Sequence, residues 1–389
     1  MQRLQQLDQI RGLAVLALIL INIYAFALPP DYSHSLRLPG ITAGSLDIWL
    51  YNLQTLFIKG RFITLFSVLF GVSLLLIAEK YGTDYLRRRL YWLALLGALH
   101  GWFLWFGDIL LWYALTGLMI LKRNYFTLDS AQLWRKAIRF FLIGLILPLM
   151  LSIMILLDSS GIAPDLADTE TFAQQIALWT GPYWPQVVAN LTHSLLVALL
   201  FAFSALWHTT ALMLLGMALY KSQWFNTGYS MGMTFKLFFG SLLLSLSIVW
   251  LDQATDYLFS LNSILPWAYL AEVMMALAFA SWLIQQRASQ WPQRWLAPCG
   301  KLALTLYISQ TVLMVLLFRV LRPEWFATLD RLQLTTIAVL MLLLQLGFSQ
   351  LYLRYYQQGP LEWCWRRLSQ KPEQPDNTSS VTAKPADSN

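Results

Sequence analysis

The chain has 389 residues, 58% of them apolar and only 12% charged, with a mean hydropathy of +0.54. Twenty-seven basic and 20 acidic side chains cannot cover a globule of this size in water, where about a quarter of residues are usually charged. A soluble enzyme, a secreted disulfide scaffold and a nucleic-acid binder are set aside, and the sequence reads as an all-α, polytopic membrane protein. The formal net charge of +7 lies in short blocks between apolar runs, a pattern of membrane topology and not a patch for nucleic acid. The two cysteines, Cys299 and Cys364, read as free thiols, and the many Trp and Tyr suit the interfacial belts of a bilayer.

Residues 1–28 have the outline of a signal peptide, with Arg3 and Arg11 before an apolar run that ends in Ala25-Phe26-Ala27. Asn22 inside the run and the Asp8/Arg11 pair argue instead for a retained first span. Ten runs follow the length rule for bilayer-crossing helices: 12–28, 62–79, 90–105, 108–121, 140–157, 190–220, 237–253, 264–284, 300–320 and 333–353. Segment 45–58 is shorter and mixed, and reads as an interfacial helix leading into the second run. The sixth run would extend about 46 Å at helical rise, so it is either tilted and extended or broken near Trp207-His208.

Charge distribution selects ten spans with both termini cytoplasmic. That alternation places 21 basic residues inside, and only Arg37, Lys59, Arg61, Arg319, Arg322 and Arg331 outside. An eleventh span would scramble the asymmetry after residue 220. Residues 1–368 read as one membrane-embedded domain and 369–389 as a disordered cytoplasmic tail without apolar periodicity.

An ionisable side chain at mid-membrane costs about 2.5–3.5 kcal/mol on insertion scales, which singles out a short list of residues. There is no Walker A, His-Glu-x-x-His or Gly-x-Ser-x-Gly motif, and no metal-spaced Cys/His cluster, so no metal is expected. In LDQIRGLAVLALILIN, Asp8 and Arg11 share a helix face and can pair, Gly12 permits close helix approach, and Asn22 lies roughly 16 Å further along. In LHGWFLWFGDILLWYALTG, His100 and Asp108 are the sole acidic, basic or histidine residues between Arg89 and Lys122. A histidine beside a carboxylate suits general acid–base catalysis, while capping of adjoining helix ends is the bland alternative. Lys59 and Arg61 break the positive-inside pattern, which suits an anion at the outer face or interfacial snorkelling. Gln310, Glu272 and His208 are further polar groups within apolar runs, each open to reading as a satisfied interhelical contact. His34 and His193 fall at loop or boundary positions, and GPLEWCWRRL reads as an amphipathic cytoplasmic helix begun by Pro360.

LDQIRGLAVLALILIN, RFITLFSVLFG, LHGWFLWFGDILLWYALTG and the pair GKLALTLYISQ/QGPLEWCWRR, in that order from about residue 5 to 368, resemble the YeiB family of bacterial inner-membrane proteins. The opening Leu-Asp-x-x-Arg-Gly with a membrane Asn is also similar to heparan-α-glucosaminide N-acetyltransferase and to bacterial membrane acyltransferases that decorate envelope sugars. That similarity implies transfer of an acyl group from a cytoplasmic acyl-CoA-type donor to a small-molecule, glycan or lipid acceptor at the outer face. It places the essential membrane histidine at His100, with Asp108 orienting it. Asp8, Arg11, Asn22, Arg61, Gln310 and Glu272 are the expected donor- and acceptor-binding residues. A transporter or flippase that uses Glu272, His208 and Asn22 as a relay is the competing expectation. A structural membrane component without turnover is the third.

Overall fold

The computed structural model describes residues 2–157, 168–257, 264–286 and 291–370. Among them there is no strand beyond one isolated bridge, Leu38 to Ile41, and the chain is an all-α polytopic bundle. Eight helical stretches are long and apolar enough to cross a membrane: Gln5–Ala27, Ser45–Phe103, Ser130–Leu157, Tyr183–Lys221, Met231–Ala254, Pro266–Gln285, Ala303–Leu321 and Arg331–Tyr355. Ser45–Phe103 contains two of the expected runs, 62–79 and 90–105, and a shorter apolar helix, Leu110–Lys122, coincides with 108–121. The ten runs are therefore helical, with two in one long stretch and another in a short helix. The expectation for the tail falls outside the described residues from 371 onward.

Helix α1 (Gln2–Ala27) is the axis, with Ile10, Ala14, Val15, Ile19 and Ile23 at 0% exposure. Among the later helices, α13 (Trp291–Lys301) lies closest along it, through glycines. A Cβ on Gly12 would sit 1.9 Å from the Leu296 carbonyl oxygen, and one on Gly300 would sit 1.8 Å from that of Asp8. Between them stand α2 (Ser45–Phe57) and α3 (Arg61–Phe103), the latter interrupted at Gly82, whose φ of +81° suits a residue without a Cβ. Leu74 and Leu90, on either side of that break, both approach Gly117 of α4 (Leu110–Lys122). A straight helix would separate those leucines by about 24 Å, so the two arms of α3 fold back on each other.

The helix expected at 45–58 is α2, which exposes Leu46, Trp49 and Leu53 while burying Tyr51, Gln54 and Thr55. Next come α5 (Ser130–Gly144), α6 (Ile146–Leu157) and α7 (Thr169–Thr180). The sixth run is one continuous stretch: α8 (Tyr183–Leu200), a π-helical turn at Phe201–Ala205, and α9 (Leu206–Lys221). It continues as one stretch, with a local widening just ahead of Trp207-His208. The chain then runs through α10 (Trp224–Thr227), α11 (Met231–Ala254) and α12 (Pro266–Gln285) to α13. It ends with α14 (Ala303–Leu316), α15 (Arg331–Tyr355) and α16 (Pro360–Ser369). Leu149, Met150 and Ile153 of α6, and Leu340, Leu343 and Leu344 of α15, are exposed, as faces that meet lipid must be.

Glycine contacts carry the helix crossings. Gly71 of α3 lies against the Met213 backbone, and Gly216 of α9 against that of Val68, with a Cβ on either about 2.0 Å from a carbonyl oxygen. Gly12→Val is expected to destabilise the bundle by about 1–3 kcal/mol or more, the usual cost of overpacking. Gly347→Ala, where a Cβ meets nothing within 4 Å, should be neutral. Thermal unfolding midpoints of the two variants in nanodiscs check this.

Candidate functional site

His100 lies near the end of α3, between Gly97 and Gly101. A Cβ on Gly97 would lie 2.2 Å from the Leu111 backbone nitrogen, and one on Gly101 would lie 3.2 Å from Cβ of Asp108, so the glycines let the start of α4 press against α3. The His100 Nδ1 stands 2.9 Å from Asp108 Oδ1, and its Nε2 stands 3.0 Å from the Thr311 hydroxyl. The second Asp108 oxygen accepts the Leu111 N–H at 2.8 Å and closes the first turn of α4. Carboxylate, imidazole and hydroxyl thus lie in series. In such a series the carboxylate holds Nδ1 protonated and leaves Nε2 to accept a proton. All three residues are buried, His100 to 2% exposure. The Tyr307 ring packs on the imidazole at 5.4 Å between centroids, and its hydroxyl accepts the Ile109 N–H at 3.3 Å.

Below this group lies a cavity of about 510 Å³, here called the basic cavity. Arg11, Arg89, Lys301 and Arg366 line it together with Asp8 and Glu362. Its deeper walls are Phe66, Phe70, Leu74, Tyr113 and Tyr307. Arg11 pairs with Asp8 at 2.9 Å, as their spacing predicts, and donates to Ser73 at 3.2 Å. Arg89 stacks on Trp365, with its guanidinium carbon 3.6 Å from the ring centroid, and the Trp365 Nε1–H donates to the Arg89 carbonyl at 2.8 Å. Glu362 of α16 accepts the Leu304 N–H at 2.8 Å and the Thr305 N–H at 3.1 Å, capping α14. The motifs GKLALTLYISQ and QGPLEWCWRR therefore meet as one wall.

A second cavity, of about 430 Å³, is lined by His34, Lys59, His208, Tyr269 and Glu272, with apolar walls from α6, α8 and α9. It is here called the histidine cavity. Tyr113 lines both spaces, and its hydroxyl bonds to Ser67 Oγ at 2.6 Å and donates to the Ile63 carbonyl at 3.2 Å. His34 borders this cavity, exposed within it yet enclosed by protein. Burial, then the charges of Lys59 and Arg331, pull its imidazole down to about 4. Among the described residues no group of three or more His, Cys, Asp or Glu could hold a metal ion.

The sequence-predicted residues are dispersed through the bundle. Asp8 and Arg11 line the basic cavity, and Glu272 lines the histidine cavity. His100 and Asp108 line neither, because Tyr307 and Ile109 stand between them and the basic cavity. Gln310 donates to the Val15 carbonyl at 3.0 Å and to Gln345 at 2.8 Å, tying α14 to α1 and α15. Arg61, at 0% exposure, donates to the Lys59 carbonyl and to Ser245, and faces the charge of Glu272. Asn22 is half-buried in α1 and lines neither cavity. These residues do not converge on one tunnel. Sequence reasoning missed Tyr113, Tyr307 and Thr311, whose aromatic and hydroxyl side chains carry no charge to mark them. It read Arg89, Lys301 and Arg366 solely as topological charges, although their shared side assignment anticipated their meeting.

The architecture is that of a polytopic helical membrane protein with two internal cavities and a buried histidine–aspartate pair between helices. Residues 217–372 match the family model described as "Protein of unknown function (DUF418)". The chain is 30% identical to the uncharacterized protein YeiB of Escherichia coli (strain K12) over 95% of its own length and 97% of that protein. It is 25% identical to the uncharacterized protein YxaH of Bacillus subtilis (strain 168), with 96% of each chain covered. The chain belongs to the YeiB family. No solved structure matches it significantly.

Two outcomes follow from the site. Asp108→Ala, which orphans both the Leu111 N–H and His100 Nδ1, should cost about 1–3 kcal/mol of stability, and Asp108→Asn should cost less because an amide oxygen still caps α4. Chemical unfolding monitored by tryptophan fluorescence measures both. His34 holds its proton less tightly in the folded protein than at its ordinary value of 6.5, so the unfolded chain binds more protons between pH 6.5 and about 4. Its contribution to stability is complete above that window and is lost as pH falls through it. The drop in unfolding midpoint from pH 7 to pH 4.5 should therefore be smaller in His34→Gln than in the wild type.

Proposed function

We propose that the chain is a transmembrane acyltransferase of the bacterial inner membrane. It would draw an acyl group from an acyl-CoA-type donor in the basic cavity and deliver it to an acceptor from the opposite face. The observation that carries this reading is the build of that cavity: four cations at one end, an apolar depth, and an end wall, Tyr307, that rests on His100. Arginine and lysine are the side chains that hold phosphate and diphosphate, and apolar walls suit the pantetheine and acyl parts of the same molecule. The volume falls within the range of ligand pockets. All four cations belong to the 21 assigned to the cytoplasmic side, where such donors are made.

In this reaction an acceptor hydroxyl or amine attacks the thioester carbonyl, its proton passes to a base, and the thiol of the donor leaves. His100 supplies the base at Nε2, with Nδ1–H fixed by Asp108. The acceptor takes the position now filled by the Thr311 hydroxyl, after Tyr307 swings off the imidazole. A transporter is the second reading, favoured by the single aromatic partition, Tyr113, between cavities that border opposite ends of α1.

Purified protein in nanodiscs should bind radiolabelled acetyl-CoA, and Arg11→Ala or Arg366→Ala should each weaken binding about tenfold or more, the worth of one charge-assisted contact. His100→Ala should abolish acyl transfer to membrane acceptors while leaving donor binding intact. Wild-type protein that neither binds the donor nor removes its acyl group would sink the proposal, and proton-driven substrate uptake by vesicles would install the transporter in its place.

A further inference from the structure

The acyl-transfer chemistry above uses nothing from the lining of the histidine cavity, yet that lining holds two buried side chains, Lys59 and His208, whose polar atoms have no hydrogen-bond partner among the described residues. His208 is in the first turn of α9, three residues beyond the π-helical turn Phe201–Ala205, a kind of distortion often found where a side chain is re-aimed for function. Helix α5 presses on it closely, since a Cβ on Gly144 would lie 3.0 Å from the His208 backbone nitrogen. The imidazole is 9% exposed and lies between the rings of Phe141 and Tyr269, 5.2 and 4.8 Å away. Neither Nδ1 nor Nε2 has a hydrogen-bond partner among the described residues. An orphaned buried polar atom is costly, and this ring has two. The cavity also holds Glu272, whose carboxylate lies where a Cβ of Gly60 would be, 1.9 Å from that virtual atom.

We infer that the histidine cavity binds the hydroxyl-bearing head of a membrane amphiphile, with two neighbouring hydroxyls on His208 and Glu272. The two nitrogens of a neutral imidazole, one donor and one acceptor, point to opposite sides of the ring, so one hydroxyl of a vicinal diol partners one of them while its neighbour donates to the carboxylate. A phosphate could reach Lys59, which shares this lining, but would also meet the Glu272 carboxylate, and a bare alkyl chain would leave both ring nitrogens orphaned. Further apolar walls are Leu147 and Leu151 of α6, Val197 of α8 and Phe201 of the π-helical turn, and the outer faces of α6 and α8 are exposed apolar surface. A chain attached to the head therefore passes between these helices toward lipid. This ligand assignment stands apart from the acyl-transfer reading, whose base His100 lies outside the histidine cavity.

The test is a ring-nitrogen titration. The chain has four histidines, so [15N]histidine-labelled protein in phosphatidylcholine nanodiscs gives few signals, and His208→Phe identifies those of His208. Addition of 1-monooleoylglycerol should move the His208 ring resonances saturably and leave those of His100 in place. Methyl oleate, with the same chain and no hydroxyl, should move neither. Glu272→Gln should weaken the binding about tenfold. Octyl β-glucoside tests a sugar as the source of the diol, and a tighter response to it than to monooleoylglycerol assigns the site to glycolipid heads. His100→Ala should bind monooleoylglycerol like the wild type, which separates this result from the fate of the acyl-transfer reading. Equal shifts with methyl oleate, or no saturable shift with either hydroxylated amphiphile, would overturn the inference, and both readouts stand even if His208→Phe does not fold.

Discussion

Lipid tails are as apolar as leucine, so helices in a bilayer gain little by hiding hydrophobic surface from one another and must gain by touching closely. This bundle meets that condition with reciprocal glycines. Gly12 fits the Leu296 carbonyl while Gly300 fits that of Asp8, so α1 and α13 interlock at both ends of one crossing. Gly71 and Gly216 repeat the device between α3 and α9. The first crossing has a direct consequence for the site: it brings Asp8 and Arg11 beside Lys301, and so assembles half the charged rim of the basic cavity.

The second constraint is that polar groups taken inside must find partners inside. His100 meets it with Asp108 and Thr311, and Gln310 meets it with Val15 and Gln345. Around α2 the same rule binds Arg331 to Gln54 and the Ser35 carbonyl. Such closed networks fix helix register. They also separate the polar groups that hold the fold from those left facing a cavity, and His208 belongs to the second kind.

The membrane class and the helical runs were legible because bilayer thickness sets run length directly, and because the scarcity of charge makes each charged residue conspicuous. The Asp8/Arg11 pair was legible from its spacing, since three residues apart on a helix is a contact distance. Which way a polar side chain faces was not legible. Gln310 and Glu272 look alike as lone polar residues in apolar runs, yet one braces three helices and the other lines a cavity. Rotation of a helix about its axis decides between them, and that depends on neighbours remote in sequence. Tyr113 and Tyr307 were hidden for a different reason: an aromatic residue is ordinary in such a chain, and its importance comes from standing at a boundary.

Tyr113 stands at such a boundary, for it lines both spaces. A protein that spans an ion-tight membrane must remain an insulator, because any continuous wet path dissipates the ion gradient held across it. Here one side chain common to both chambers, pinned by Ser67 and the Ile63 carbonyl, contributes to that insulation. Shortening it would weaken the wall between the two chambers, and a cell carrying that change would bear the burden as a leak.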